Sequence, residues 1–262
     1  MRNSLRIFFV GGVTSYRALF NWVNPWVFVP QTLGYPIFEI LFFAYLGRFA
    51  DVQSDKFFLV GNSFVSLAMT GFFGMGNAVG GERRSQTLAT LLASPANRFA
   101  LFLGRAVPSI FTGFVVAVTA FTVCSLVLHA HFAASELAHL AVAGLVGAFA
   151  CTSFGLCLGA LGLRGRSVSL FADTIGGTML LISGANVPLA RLPGAVRAIS
   201  DLMPLTHAIQ AGRILAGGGS FASAGHLLAD EAIVGCCYLL LGIVMLRVFE
   251  YVGRRSAALE TF

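Results

Sequence analysis

Two carboxylates lie within long apolar stretches of the sequence, Glu39 in the first such stretch and Asp173 in the fifth. An ionised carboxylate in the middle of a bilayer costs about 2.5–3.5 kcal/mol on insertion scales, so each should face protein or a water-filled cavity. Such groups can line a translocation route, relay protons, or make polar contacts between packed helices. Asp173 is close in sequence to Arg166, near the end of its stretch. This position favours a packing contact for Asp173.

The residue types needed for nucleotide hydrolysis are absent. A phosphate-binding loop requires a glycine-rich turn that ends in Gly-Lys-Ser or Gly-Lys-Thr, whereas the sole lysine, Lys56, follows Asp55. The sequence contains no Gly-x-Ser-x-Gly and no His-Glu-x-x-His motif. We therefore expect no catalytic residue, no metal site and no cofactor bound by this chain, and any energy from ATP must come from a partner.

The composition predicts the element type that positions these carboxylates. Hydrophobic residues make up 57% of the chain and charged residues 11%, against about 25% charged residues in soluble domains. A soluble enzyme of this length could not bury so much apolar surface. A spanning helix needs roughly 20 mostly apolar residues, and the sequence offers six candidates: 26–46, 57–79, 106–128, 137–163, 168–188 and 232–249. We expect one all-α integral membrane domain over residues 1–262.

The distribution of basic residues predicts the orientation. With six spans, twelve of the seventeen basic residues lie on the side of the N-terminus, which the positive-inside rule makes cytoplasmic. Both termini are then cytoplasmic, and the basic excess reflects topology rather than nucleic-acid binding. Residues 5–24 repeat apolar residues at helical spacing, opposite a polar face. They predict an amphipathic helix along the inner membrane surface, with a loose cytoplasmic tail as the alternative.

The inner connection between the second and third spans contains a short helical pattern at residues 85–94. Leu88, Leu91 and Leu92 share one face of it, Ser85 can cap its start, and a Ser-Pro pair follows. An exposed leucine face on a short helix fits the groove of a protein partner. The alternative is an interfacial helix that rests on lipid headgroups.

The long outer connection carries breaks that predict short helices within residues 189–216. Pro193 and Pro204 bracket one helical stretch, Thr206 is placed to cap a second, and Gly217 follows the second. Each stretch is too short to span a bilayer. We expect re-entrant or interfacial half-helices on the outer face, with an ordinary extracellular loop as the alternative.

Two stretches resemble the ABC-2 family of ABC-transporter permeases, which includes drug, polysaccharide and lipo-oligosaccharide exporters. The first resembles the family's inner-loop pattern and reads Gly81-Glu82-Arg83-Arg84-Ser85-Gln86-Thr87-Leu88-Ala89-Thr90-Leu91-Leu92-Ala93-Ser94-Pro95. Gln86 replaces the usual Gly and Ala89 the usual Glu. The second is similar to the family's outer segment and reads Ser183-Gly184-Ala185-Asn186-Val187-Pro188, Leu192-Pro193, Met203-Pro204-Leu205-Thr206-His207-Ala208-Ile209 and Arg213.

This resemblance implies roles for the segments already described. Residues 5–24 would be the connecting helix, and residues 85–94 the coupling helix that engages a separate ATP-binding subunit. The implied coupling residues are Glu82, Arg83, Arg84, Thr87, Leu88, Leu91 and Leu92. The implied extracellular motif consists of Pro188, Pro193, Pro204, Thr206, His207 and Arg213.

The implied assembly pairs two permeases, either identical or related, with two ATPase subunits that hold ATP and Mg²⁺, in the plasma membrane of a prokaryote. Aromatic residues suit a hydrophobic or amphiphilic substrate, either drug-like or lipid-linked, although phenylalanine also suits plain lipid contact. We expect the pathway to involve Glu39, Phe38, Phe42, Phe72 and Asn186. The alternative function is a proton-coupled secondary transporter, but the halves show no inverted repeat of the kind that class predicts.

Overall fold

The computed structural model describes residues 30–84, 98–162 and 168–256, and within these ranges the chain is helical with no β-strand. A short π-helical turn, Pro30–Gly34, leads into the first helix. The helices are α1 (Tyr35–Ala50), α2 (Asp55–Arg84), α3 (Arg98–Val127), α4 (Ala134–Gly162), α5 (Val168–Ile182), α6 (Gly194–Leu202), α7 (Thr206–Ala216) and α8 (Phe221–Ser256). A single 3₁₀ turn, Leu189–Arg191, precedes α6.

Helix α2 forms the centre of the bundle and packs most extensively against α4. Small residues allow the two backbones to approach, as is common where membrane helices meet. A Cβ atom on Gly155 of α4 would collide with the backbone carbonyl of Phe72, and one on Gly159 would lie 2.7 Å from Cβ of Val79. Helices α1 and α3 pack on another side of α2, and α8 packs on the far side of α4.

Five helical segments in the described residues are long and apolar enough to cross a membrane: Thr32–Ala50, Asp55–Val79, Ile110–Val127, Ala134–Gly162 and Phe221–Phe249. They correspond to the predicted spans one to four and six, so the chain is a multi-pass membrane protein. The predicted fifth span corresponds to α5, which has 15 residues. At 1.5 Å per residue such a helix is shorter than a bilayer core, and the count of six spans stays a prediction.

Two boundaries differ from the predicted ones for physical reasons. The stretch 168–188 does not remain helical to its end, because α5 stops at Ile182 and Gly184 then adopts a left-handed backbone with φ +86°. The stretch 232–249 is the interior of a longer helix, since α8 begins at Phe221 and contains Glu231. The predicted span begins directly after this acid, which the structure buries completely against protein.

Two predicted segments, the amphipathic helix at 5–24 and the coupling helix at 85–94, lie outside the described residues. Within the predicted half-helix region 189–216, the structure contains the two short helices α6 and α7. Helix α7 is inserted among α2, α4 and α8, and most of its residues are buried. That the segment is extracellular stays a prediction.

Candidate translocation cavity and the outer clamp

A cavity of about 860 Å³ opens between α1, α2, α3 and α5. Its lining residues are Thr32, Tyr35, Pro36, Glu39, Val65, Ser66, Met69, Thr70, Phe73, Gly74, Asn77, Thr112, Val116, Asp173, Gly176, Gly177 and Leu180. Those on α1, α2 and α3 fall within the candidate membrane spans. The volume lies in the range that proteins use to enclose drug-sized ligands.

Both carboxylates of the predicted spans line this cavity, Glu39 from α1 and Asp173 from α5. The sequence favoured a packing contact for Asp173, but its side chain is exposed to the cavity rather than enclosed between packed helices. Each acid lies within the first two turns of its helix, and both contribute to the lining of one cavity. The structure thus brings together two residues that are far apart in sequence.

The other predicted pathway residues occupy different environments. Phe38 and Phe42 are 78% and 61% exposed on the outward face of α1. Phe72 is buried in the core, where its ring lies 5.7 Å from that of Phe154 in a stacked arrangement. Asn186 accepts a hydrogen bond of 2.9 Å from the amide of Asn62, at the turn that follows α5. Of the five residues, Glu39 is the one that lines the cavity.

Arg213, part of the predicted outer motif, ties α7 to two other elements. Its guanidinium lies 3.4 Å from the centroid of the Phe57 ring at the start of α2. It donates a 2.8 Å hydrogen bond to the carbonyl of Ala185 in the turn after α5. Burial lowers the pKa of Arg213 to about 9, so the guanidinium remains protonated at neutral pH. The Arg213 cation therefore connects α7 to α2 and to the turn after α5.

We expect Arg213→Ala to destabilise the protein by about 2–3 kcal/mol, because it removes a buried cation–π contact and a charge-assisted hydrogen bond. The readout is the heating temperature at which half of the monodisperse protein is lost in neutral detergent. The control is Arg197→Ala, which removes an exposed arginine from the neighbouring helix α6. Equal midpoints for the two variants would contradict the role given to Arg213.

A second anchor of α7 was not predicted from the sequence. Glu231 of α8 is fully buried, and its carboxylate accepts hydrogen bonds from three backbone N–H groups at the start of α7. These come from Leu205 at 2.6 Å and from His207 and Ala208 at 3.1 Å each. The first N–H groups of a helix have no partner within it and form the positive end of its dipole. Glu231 therefore caps α7 from a different helix.

This cap replaces the one expected from Thr206. The residue that precedes α7 is Leu205, whose φ of 84° places it in the left-handed region, and no side chain of the segment caps the helix locally. The hydroxyl of Thr206 is buried and has no hydrogen-bond partner among the residues that the structure describes. A left-handed backbone at a non-glycine residue costs of order 1–3 kcal/mol and persists where surrounding contacts compensate. The 2.6 Å bond from Leu205 to Glu231 supplies such a contact.

The remaining motif residues shape the same segment. Pro188 and Pro193 immediately precede the 3₁₀ turn and α6, and Pro204 is buried before α7. The imidazole Nε2 of His207 lies 3.0 Å from the carbonyl of Asp201 in α6. The predicted outer motif thus forms one connected unit, which we call the outer clamp and define as α6, α7, Arg213 and Glu231.

The coupling residues are described only in part. Glu82, Arg83 and Arg84 lie in the last turn of α2. Thr87, Leu88, Leu91 and Leu92 fall outside the described residues. Their role in partner binding stays a prediction.

Comparison with known protein families identifies the chain. The family described as ABC-2 type transporter matches residues 14–216, which include the predicted coupling stretch, helices α1 to α7 and the outer motif. No curated protein sequence matches the chain. The family match confirms the resemblance seen in the two motif stretches. Because the match covers more than half of the chain, the protein belongs to the ABC-2 type transporter family and is a transmembrane permease component.

Proposed function

We propose that this chain is the permease subunit of an ABC exporter that moves a hydrophobic or amphiphilic molecule out of the cell. The substrate would be a drug-like compound or a lipid-linked molecule. The observation that carries the proposal is the cavity of about 860 Å³, lined by residues of the membrane spans and by Glu39. A membrane-embedded acid that faces a cavity is by default a functional group.

ATP hydrolysis on a separate subunit would drive the movement, because this sequence has no phosphate-binding loop. Family membership implies a partner ATP-binding subunit, on which ATP and Mg²⁺ would reside. Residues 85–94, in the connection that follows α2, would transmit the motion of the ATP-binding subunit to the permease. Since α2 lines the cavity and also contacts α7, a shift of α2 would act on both the cavity and the outer clamp.

A second permease would complete the pathway. Helix α1 packs on α2 and α3 with one face and exposes an aromatic stripe on the other, made of Tyr35, Phe38, Phe42, Tyr45 and Phe49. These positions recur at helical spacing, so they lie on one side of the helix. The stripe borders the open cavity, and a partner permease packed there would close it.

The coupling step is tested by the double substitution Leu88→Ala with Leu91→Ala. Burying each leucine fully is worth about 1.5–3 kcal/mol, so the pair should remove several kcal/mol of docking free energy. We expect the variant to insert and fold, to co-purify poorly with its ATPase, and to lose ATP-driven transport in liposomes. Arg83 and Arg84 should matter less, because exposed ion pairs contribute under about 1 kcal/mol.

The matched control is Leu240→Ala with Leu241→Ala, which truncates two exposed leucines of α8. It should retain both ATPase binding and transport. If the Leu88 and Leu91 variant also retains both in full, residues 85–94 are an interfacial helix, and the coupling mechanism is refuted.

A further inference from the structure

The charged residues that line the cavity are all acidic. Its described lining contains two acids, Glu39 and Asp173, and no lysine, arginine or histidine. The two acids come from different helices, α1 and α5, so acidic groups lie on two walls. Within a low-dielectric surrounding, an uncompensated charge acts on a ligand much more strongly than it would in water.

Neither acid has a structural partner in the described part of the chain. The hydrogen bonds and the ion pair formed there involve neither carboxylate, and the ion pair joins Arg48 to Asp55 at the loop between α1 and α2. Glu231 provides the contrast, since three backbone N–H groups satisfy it and fix a helix end. Glu39 and Asp173 therefore do not serve as structural caps of that kind.

Two of the hydroxyls that line the cavity, those of Ser66 and Thr70, donate to the backbone rather than to a carboxylate. Ser66 donates its hydroxyl proton to the carbonyl of Asn62, and Thr70 donates to the carbonyl of Ser66, each at 2.9 Å. Both hydroxyls are thus engaged by the backbone of α2. Among the residues that the structure describes, neither carboxylate therefore accepts a hydrogen bond, and both face the space that a ligand would occupy.

The rest of the lining suits an apolar body next to a charged head. Val65, Met69, Phe73 and Leu180 provide aliphatic, thioether and aromatic surface. Tyr35, four residues before Glu39 in α1, adds a second aromatic ring. Aromatic faces attract cations, above all those with quaternary or alkylated nitrogen. Apolar walls with a few placed polar groups are the usual composition of a ligand site.

We propose that this cavity selects amphiphiles that carry a positive charge, such as an alkylated ammonium group on a hydrophobic body. The cationic head pairs with Glu39 and Asp173, and the hydrophobic body packs on the α2 and α5 walls. The inference rests on the proposed function, in which the cavity is the substrate route, and adds the charge of the substrate to it. Anionic amphiphiles of the same shape are repelled.

The test uses three probes that share a dansyl group and a dodecyl chain and differ only in the head: trimethylammonium, hydroxyl or sulfonate. Binding to the permease–ATPase complex in neutral detergent is followed by dansyl fluorescence. ATP-driven export of each probe is then measured in proteoliposomes. The variants are Glu39→Gln with Asp173→Asn, and Asp230→Asn as a control that neutralises an exposed carboxylate of α8.

We expect the ammonium probe to bind at least about tenfold more tightly than the hydroxyl probe, the size expected for a gained charge-assisted contact. The sulfonate probe should bind most weakly. The double variant should bind the ammonium and hydroxyl probes equally, whereas Asp230→Asn should keep the preference.

Equal binding of the three probes to the wild-type complex, no binding of the ammonium probe, or a preference that survives in the double variant would each overturn the inference. Export of ammonium and hydroxyl probes at equal rates would refute charge selection but leave the transport function intact. Selective binding without ATP-driven export of any probe would refute the transport function instead, and would leave the charge preference standing.

Discussion

Replacing Glu231 by Ala is expected to cause the largest loss of stability of any single substitution in the outer clamp. The change leaves three backbone N–H groups at the start of α7 without an acceptor, at a position where Leu205 and Ala208 are fully buried. Each buried unsatisfied donor costs about 1–3 kcal/mol. Removing the buried charge of Glu231 offsets part of this, so we expect a net loss of about 2–4 kcal/mol.

The hydrogen bonds of the cap predict an order of thermal stability among variants. Glu231→Gln keeps one acceptor oxygen but places an amide N–H₂ against a backbone donor, so it should lie between the wild type and Glu231→Ala. Asp230→Asn changes the adjacent carboxylate, which is exposed, and should behave as the wild type. The heating midpoint in detergent measures the order. A midpoint for Glu231→Ala that equals that of Asp230→Asn would contradict the cap.

The consequence for transport follows from where α7 sits. Arg213 holds α7 to α2 and to the turn after α5, and Glu231 holds it to α8. Helices α2 and α5 both line the cavity, so the clamp is attached to α2 itself and to the turn that follows α5. Loosening the clamp would therefore disturb the start of α2 and the end of α5.

The helices that the sequence predicted well are those defined by local composition. A run of about 20 apolar residues is sufficient to predict a spanning helix, and α1 to α4 and α8 each contain one. The short helices α6 and α7 were foreseen because proline and glycine interrupt the chain at Pro193, Pro204 and Gly217. Glu39 was found because an acid within an apolar run is conspicuous.

The features that were missed depend on contacts between distant segments. Glu231 accepts hydrogen bonds from backbone N–H groups more than twenty residues upstream. Every residue except proline has a backbone N–H group, so the sequence does not indicate which of them Glu231 will bind. The predicted last span, 232–249, begins directly after Glu231, whereas the helix in the structure contains it. The cavity position of Asp173 likewise depends on how α5 packs against α2, which no local pattern encodes.

The second large effect is expected from filling the cavity with a single side chain. Gly177 of α5 lines the cavity, and a Cβ atom built on it has no atom of another residue within 4 Å. The Cβ of Gly177→Trp is therefore accommodated, and we expect its indole to extend into the cavity that this residue lines. Gly225 of α8 does not line the cavity, and a Cβ atom there also meets open space. Gly225→Trp is thus a control with the same change in side-chain volume.

The measurement that tests the central claim most directly is ATP-driven export by these two variants, each assembled with the ATPase subunit in proteoliposomes. We predict that Gly177→Trp folds and binds the ATPase as the wild type does, yet exports substrate at the background rate of protein-free liposomes. Gly225→Trp should export at the wild-type rate. Wild-type export by Gly177→Trp would show that substrate does not pass through this cavity and would contradict the account.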